Sequence, residues 1–325
     1  MYKSVALSAI ASLVAIATAH GTTDSVIING VSTTGFKLDF YYAKQNGGQI
    51  PEHIGWYAEN LDNGFVEPNS FHTGDIICHK NASPDGSSDT LAKVPAGGSV
   101  NFHWTTWPES HIGPIITYVA PYSGDIASVK KTDLKWTKIQ ANGFENGEWA
   151  AVKMIGQNNT WPVTVPANLK AGKYVFRHEI IALHSANQPN GAQAYPQCLN
   201  MEVTGDGTTV PEGVAGTSLY KADDAGILFD PYKQPVQYTI PGPALFGAGS
   251  GSGSAPATTT QPSGGVASPS ASAAPVASST PAPSPGAGES SDGLPKEFTI
   301  ETFISWLESK ASGKARRRHA RAFAT

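Results

Sequence analysis

The chain has 325 residues, of which 15% are charged and 40% hydrophobic, with 34 glycines, 24 prolines and a formal net charge of -4. That balance argues against a nucleic-acid binder or an anionic-membrane binder, since both jobs favour a basic surface. No apolar run approaches the ~20 residues needed to span a bilayer.

The first segment reads as a secretory signal over residues 1–19. Lys3 gives a short basic start, Val5 to Ala17 is apolar, and Ala17-Thr18-Ala19 is a small-x-small cleavage site. Cleavage there makes His20 the first residue of a secreted, extracellular protein. A terminal histidine offers its α-amine and its ring Nδ1 together, and the two can close a six-membered chelate on one metal ion. By itself this means little, because every secreted protein must start with something. A second histidine in the right place is required.

Residues 20–246 carry the folded domain, about 227 positions, enough to bury a substantial core. Short apolar-alternating runs are broken by Gly, Pro, Asn and Asp. The predicted strands are Ser25–Asn29, Ser99–Trp104, Ile115–Val119, Trp161–Val165, Lys173–His184, Leu199–Thr204 and Val236–Ile240. In the longest, Tyr174, Phe176, His178, Ile180, Ala182 and His184 share one face. With no long amphipathic helix, the pattern predicts an all-β fold, an antiparallel β-sandwich of the immunoglobulin or fibronectin III kind. The connections Gly47–Gly74 and Pro121–Val152 read as long loops, where function usually sits.

Cys78 and Cys198 are the only cysteines. In a secreted chain such a pair reads first as one disulfide, with free thiols the alternative. Asn81-Ala82-Ser83 and Asn158-Asn159-Thr160 are glycosylation sequons, the first weakened by Pro84. Residues 247–293 are almost wholly Gly, Ser, Ala, Pro and Thr and read as a flexible linker. Residues 294–325 regain pattern: Ile300, Phe303, Ile304 and Leu307 fall on one helical face, ahead of a basic tail.

Of the nine histidines, His53, His72, His79, His103, His178 and His319 read as surface or structural residues. Two others stand in more suggestive text. His111 lies in Trp107-Pro108-Glu109-Ser110-His111-Ile112-Gly113-Pro114. His184 ends the longest strand, and Gln193, Tyr195 and Cys198 follow in Gly191-Ala192-Gln193-Ala194-Tyr195-Pro196-Gln197-Cys198.

Together with Asp75-Ile76-Ile77-Cys78-His79, Arg177-His178-Glu179-Ile180-Ile181-Ala182-Leu183-His184-Ser185-Ala186 and Tyr238-Thr239-Ile240-Pro241-Gly242-Pro243, these motifs are an ordered set. Over essentially all of His20 to Phe246 the chain resembles the fungal lytic polysaccharide monooxygenases of auxiliary activity family 9. The resemblance implies one copper ion per chain, held by the amine and Nδ1 of His20 and by a ring nitrogen of His111, with Tyr195 at a long axial position. Nitrogen ligands in a tetragonal arrangement suit Cu(II). It further implies that His184 and Gln193 hydrogen-bond the activated oxygen, that Cys78 and Cys198 are bridged, and that Tyr232 stacks on sugar rings. The implied reaction is oxidative cleavage of a β-1,4-glucan such as cellulose at C1 or C4, using O2 or H2O2 and an external electron donor. The chain would act as a monomer, with no nucleic-acid partner and no membrane span.

Three features depart from the family's pattern. Ile112 stands beside the second histidine where many relatives carry a polar residue, no second disulfide can form, and Lys44–Ile50 is polar where some relatives place an aromatic. Two other readings compete. A non-catalytic copper- or carbohydrate-binding protein would keep the metal without turnover. A glycoside hydrolase would need two carboxylates ~5–9.5 Å apart, and among Glu109, Glu179 and Asp75 the sequence marks out no pair.

Overall fold

Two Asn-Gly turns each reverse the chain between a pair of short strands. Asn29-Gly30 and Asn146-Gly147 all have positive φ, the geometry that a two-residue hairpin requires. The first joins β1 (Thr23–Ile28) to β2 (Val31–Thr34). The computed structural model describes residues 21–61 and 64–247. The predicted signal segment, His20, nearly all of the predicted linker and the tail 294–325 lie outside those residues.

After β2 come the helices α1 (Leu38–Gln45) and α2 (Asp75–Cys78), then β3 (Lys93–Pro95), β4 (Ser99–Trp104), β5 (Ile115–Tyr122) and β6 (Lys135–Asn142). The second Asn-Gly turn joins β7 (Phe144–Glu145) to β8 (Glu148–Trp149) and leads into α3 (Ala150–Gly156). The chain then forms β9 (Thr160–Thr164), β10 (Gly172–Ala182), β11 (Gln193–Thr204) and β12 (Val214–Ala215).

The strands form a four-stranded sheet, β2-β1-β4-β9, and a six-stranded sheet, β12-β6-β5-β10-β11-β3. Pairing is antiparallel except between β3 and β11. The sheets pack as a sandwich, as predicted. One core cluster lies between them, with Val26, Phe102, Trp104 and Val163 from one side and Val119, Phe176, Ile180 and Met201 from the other. His178 of β10 stacks on Phe102 of β4 across this gap, ring centroids 4.1 Å apart.

The six-stranded sheet is covered on its outer face as well. There Ile116, Tyr118, Trp136, Val175 and Ile181 pack under Ile76 and Ile77 of α2, Trp56, Leu219 and Tyr220. That is why β5 and β10 are buried at nearly every position, on both faces, instead of alternating.

Two expectations are corrected. Val236–Ile240 is not a strand. It is a strap whose side chains pack against the outer cluster. Tyr238 donates to the Gly226 carbonyl at 2.8 Å, and Pro235 and Pro241, which have no N–H to give a ladder, bracket the segment. Conversely, the predicted loop Pro121–Val152 contains β6. Its alternation is masked by a bulge opposite Thr117 and Tyr118 and by a buried Lys138, whose Nζ donates to the Pro241 carbonyl at 2.7 Å.

The outer face also holds an ion pair. Arg177 and Glu179, both fully buried, are bonded to each other, and the Tyr220 hydroxyl donates to Glu179. Arg177 Nε donates to the Ile77 carbonyl and Nη2 to the Ile76 carbonyl, each at 2.8 Å. A four-residue helix leaves its last carbonyls without partners, and the guanidinium satisfies them. The Cys78–Cys198 disulfide then fastens the end of α2 to β11, closing a loop of 120 residues worth about 4–5 kcal/mol in the chain-entropy account.

Candidate metal centre

The loop between β4 and β5 carries His111, and its shape follows from local bonds. The His111 amide donates to the Pro108 carbonyl at 3.0 Å, tightening the turn. Trp107 Nε1 donates to the His111 carbonyl at 3.0 Å, and Ser110 Oγ lies 3.2 Å from His111 Nδ1. Two residues on, a Cβ on Gly113 would fall 1.9 Å from the Ile181 carbonyl oxygen. Only glycine lets the loop run this close to β10. Leu183 N then donates to the Ile112 carbonyl at 2.7 Å and Ile181 N to the Pro114 carbonyl at 3.2 Å.

This close approach brings His111 to His184. Their ring centroids are 4.2 Å apart and tilted by 34°. His184 sits at the tip of the β10–β11 hairpin, just past β10, and the returning strand β11 supplies Gln193 and Tyr195 on one face by the period of two. The Tyr195 hydroxyl donates to Gln193 Oε1 at 2.7 Å, and its ring lies 6.5 Å from that of His111. With its oxygen end engaged, Gln193 has only its Nε2 donors to offer a reactant. Tyr232, 60% exposed, is held by its hydroxyl on the His184 carbonyl at 3.1 Å and by its amide on Asp230 Oδ1 at 3.0 Å.

His20 lies outside the described residues, but Gly21 and Thr22 do not. Thr22 N donates to Thr105 Oγ1 at 3.0 Å, and Thr105 N returns a bond to the Thr22 carbonyl at 2.9 Å. Buried Gly21 faces Trp107, where an added Cβ would meet Cε3 at 3.0 Å. Gly21 therefore lies against the Trp107–His111 loop. Among the described residues no group of three His, Cys, Asp or Glu side chains is arranged to hold a metal.

The remaining predicted residues fall as follows. His53, His79 and His178 are buried, and His103 Nδ1 pairs with Asp24 at 2.7 Å, all consistent with structural roles. Burial pushes the pKa of His178 down to about 3 and lowers that of His53. Asn81 is exposed with its Nδ2 on Glu59 at 2.8 Å, and Asn158 is exposed in the turn after α3. Glu179 is sealed beneath the sheet by Arg177 and Tyr220, so it cannot serve as one of a hydrolase's two carboxylates. Sequence reading missed Gly21, Trp107 and Gly113. The fixed spacing of Trp107, His111 and Gly113 in one motif was the signal for the last two.

A family model described as Auxiliary Activity family 9 (formerly GH61) matches residues 20–239. AA9 family lytic polysaccharide monooxygenase H of Thermothelomyces thermophilus is 52% identical over 248 residues, covering 75% of this chain and 71% of its own. AA9 family lytic polysaccharide monooxygenase D of Botryotinia fuckeliana is also 52% identical, over 229 residues, covering 70% of this chain and 92% of its own. The solved structure of Cel61B from Hypocrea jecorina superposes with a TM-score of 0.66 at 48% identity, covering 70% of this chain and all of that one. The chain belongs to Auxiliary Activity family 9 and is a lytic polysaccharide monooxygenase, an enzyme that cleaves polysaccharides oxidatively.

Proposed function

We propose that this secreted enzyme cleaves β-1,4-glucan chains, cellulose or a related glucan, with one copper ion held by His20 and His111. The observation that carries the reading is the apposition of His111 and His184, with Tyr195 and Gly21 packed on the neighbouring Trp107 ring. The donors are imidazoles, a phenol and a terminal amine, a nitrogen-rich set that suits copper better than magnesium or calcium. Copper, when bound, would supply the one-electron chemistry that activates O2 or H2O2 toward a C–H bond at C1 or C4 of a glucose unit.

The chain's own residues divide the remaining work. With Nδ1 against Ser110 Oγ, His111 is assigned to the metal through Nε2, and the Ser110 contact orients the ring. Tyr195, tied to Gln193 and packed edge-to-face against Trp107 at 5.0 Å, would offer its phenol oxygen to the metal. His184 and the Gln193 amide would donate hydrogen bonds to the oxidant, fixed donors of the kind that act where charge develops. Tyr232 presents an exposed ring whose orientation is fixed by the His184 carbonyl, which suits stacking on a sugar ring.

The test is mass spectrometry of products from cellulose and other β-glucans, with and without copper and ascorbate. Oxidised chain ends are expected only when both are present with O2 or H2O2. Unoxidised oligosaccharides formed without reductant would overturn the reading in favour of hydrolysis. Tight copper binding with no cleavage of any glucan would reduce the protein to a binder.

A further inference from the structure

We infer that Tyr232 is a positioning residue as well as a sugar platform: its hydroxyl, bonded to the His184 carbonyl, aligns the His184 imidazole when a glucan covers that bond. The inference rests on the reading of His184 and Tyr232 above and goes beyond it, since that reading assigns work only to the Tyr232 ring.

The bond falls at a soft point of the backbone. Ala186 N donates to the Leu183 carbonyl at 2.9 Å, which makes Leu183–Ala186 a β-turn with His184 and Ser185 as its central pair. That closing bond does not involve the middle peptide, the one carrying the His184 carbonyl, and the two common turn types differ mainly in how this peptide is rotated. The flanking groups are held in other ways. Leu183 N donates to the Ile112 carbonyl at 2.7 Å, and Phe229 N to the Ala186 carbonyl at 2.8 Å. The Ser185 carbonyl oxygen lies 1.8 Å from where a Gly191 Cβ would stand, so the tip of the β10–β11 hairpin closes tightly behind it. The Tyr232 hydroxyl, 3.1 Å from the His184 oxygen, fixes the peptide between these anchors. Rotating that peptide changes ψ of His184, and the rotamers open to a side chain depend on its backbone angles. A hydroxyl that holds the carbonyl therefore narrows where the imidazole points, at the place where its ring lies 4.2 Å from that of His111.

Water decides when the bond is strong. Tyr232 is 60% exposed, so water competes for both ends of the bond, and an exposed bond of this kind adds little net free energy. A glucan chain lying on the ring would displace that water, and in the lower local dielectric the same bond is stronger. The donor's seat does not depend on sugar, because Tyr232 N is held on Asp230 Oδ1 at 3.0 Å and Phe229 is tied to the turn itself. His184 is thereby held best when substrate is in place, which is when an aimed donor counts.

A double-mutant cycle tests this. Tyr232→Phe keeps the ring and loses the hydroxyl, whereas His184→Ala keeps the carbonyl and loses the imidazole. Tyr232→Phe should lower oxidised-product formation on cellulose by about 2–10-fold, the worth of one neutral hydrogen bond. In the His184→Ala background it should cost nothing further, because the two changes act through one group. Adsorption of the metal-free protein to cellulose should be the same for the parent and Tyr232→Phe, and weaker for Tyr232→Ala. An equal fold loss in both backgrounds would mean that the hydroxyl acts on the sugar or through the fold at large, and it overturns the inference. So does a Tyr232→Phe variant as active as the parent, or one that adsorbs as weakly as Tyr232→Ala. The reading beneath is judged separately. If His184→Ala turns over like the parent, or the parent yields no oxidised ends, both fall; if His184→Ala is slow and the cycle is additive, only the coupling falls.

Discussion

His111 and His184 are near neighbours with similar rings, yet the proposed mechanism gives them different work. His111→Ala removes a ligand, so its loss of copper affinity should exceed the 10–100-fold typical of outer partners. His184→Ala removes only a hydrogen-bond donor. It should bind copper within about tenfold of the parent, while product formation slows by about 10²–10³-fold, the effect of deleting one such donor. Calorimetry and product yield measured on the same preparations separate the two roles. If the His184 variant lost copper as completely as the His111 variant, the ligand set would have to be redrawn around His184. The inner environment of the site was legible at this scale because residue type and spacing carry it: Ser-His-x-Gly-Pro and Gln-x-Tyr-Pro are local. The tie between Tyr195 and Gln193 is likewise local, two positions apart on one strand.

At the scale of elements, β10 does the most. One face of it packs in the sandwich core, and the other carries Arg177 and Glu179 toward α2 and Tyr220. Replacing one partner of a buried pair leaves the other charge without compensation, so Glu179→Gln should cost about 3–5 kcal/mol of unfolding free energy. Replacing both, as Arg177→Met with Glu179→Leu, should cost at least as much, because it also strips the Ile76 and Ile77 carbonyls of their donor. Urea denaturation of the three proteins checks the order. A single variant as stable as the parent would mean that the pair is not the bond holding α2 under the sheet.

The whole molecule responds to pH through the gap between its sheets. His178 faces Phe102, Trp104 and Thr117 there, with Thr117 Oγ1 2.8 Å from its Nδ1, and burial pushes its pKa down to about 3. The unfolded chain binds a proton at this residue near pH ~6.5. Between those values the unfolded state holds a proton that the native state does not. Stability from this group is therefore complete above pH ~6.5 and falls as the pH drops toward about 3, with a slope approaching ~1.4 kcal/mol per pH unit. His53, also lowered by burial, adds a dependence of the same sign. His178→Phe should flatten the slope of unfolding free energy against pH over that window. An unchanged slope would show that His178 does not govern acid sensitivity.

The sequence by itself determined the residue chemistry: which histidines stand in special text, which two cysteines pair, and where strict alternation or an unbroken apolar run makes a strand. These are readable because side-chain type and the period of two are properties of neighbours in the chain. Tertiary structure decided the rest. A strand as polar as β6 exists because Lys138 finds the Pro241 carbonyl, and Val236–Ile240 fails to be one because its partners are side chains and not a ladder. His111 meets His184 because Gly113 lets its loop lie against Ile181. Trp107 meets His111 and Tyr195 only because the core holds its ring against Trp104. Such meetings depend on the register of β5 on β10 and on the packing of one sheet on the other, long-range choices that no local pattern encodes.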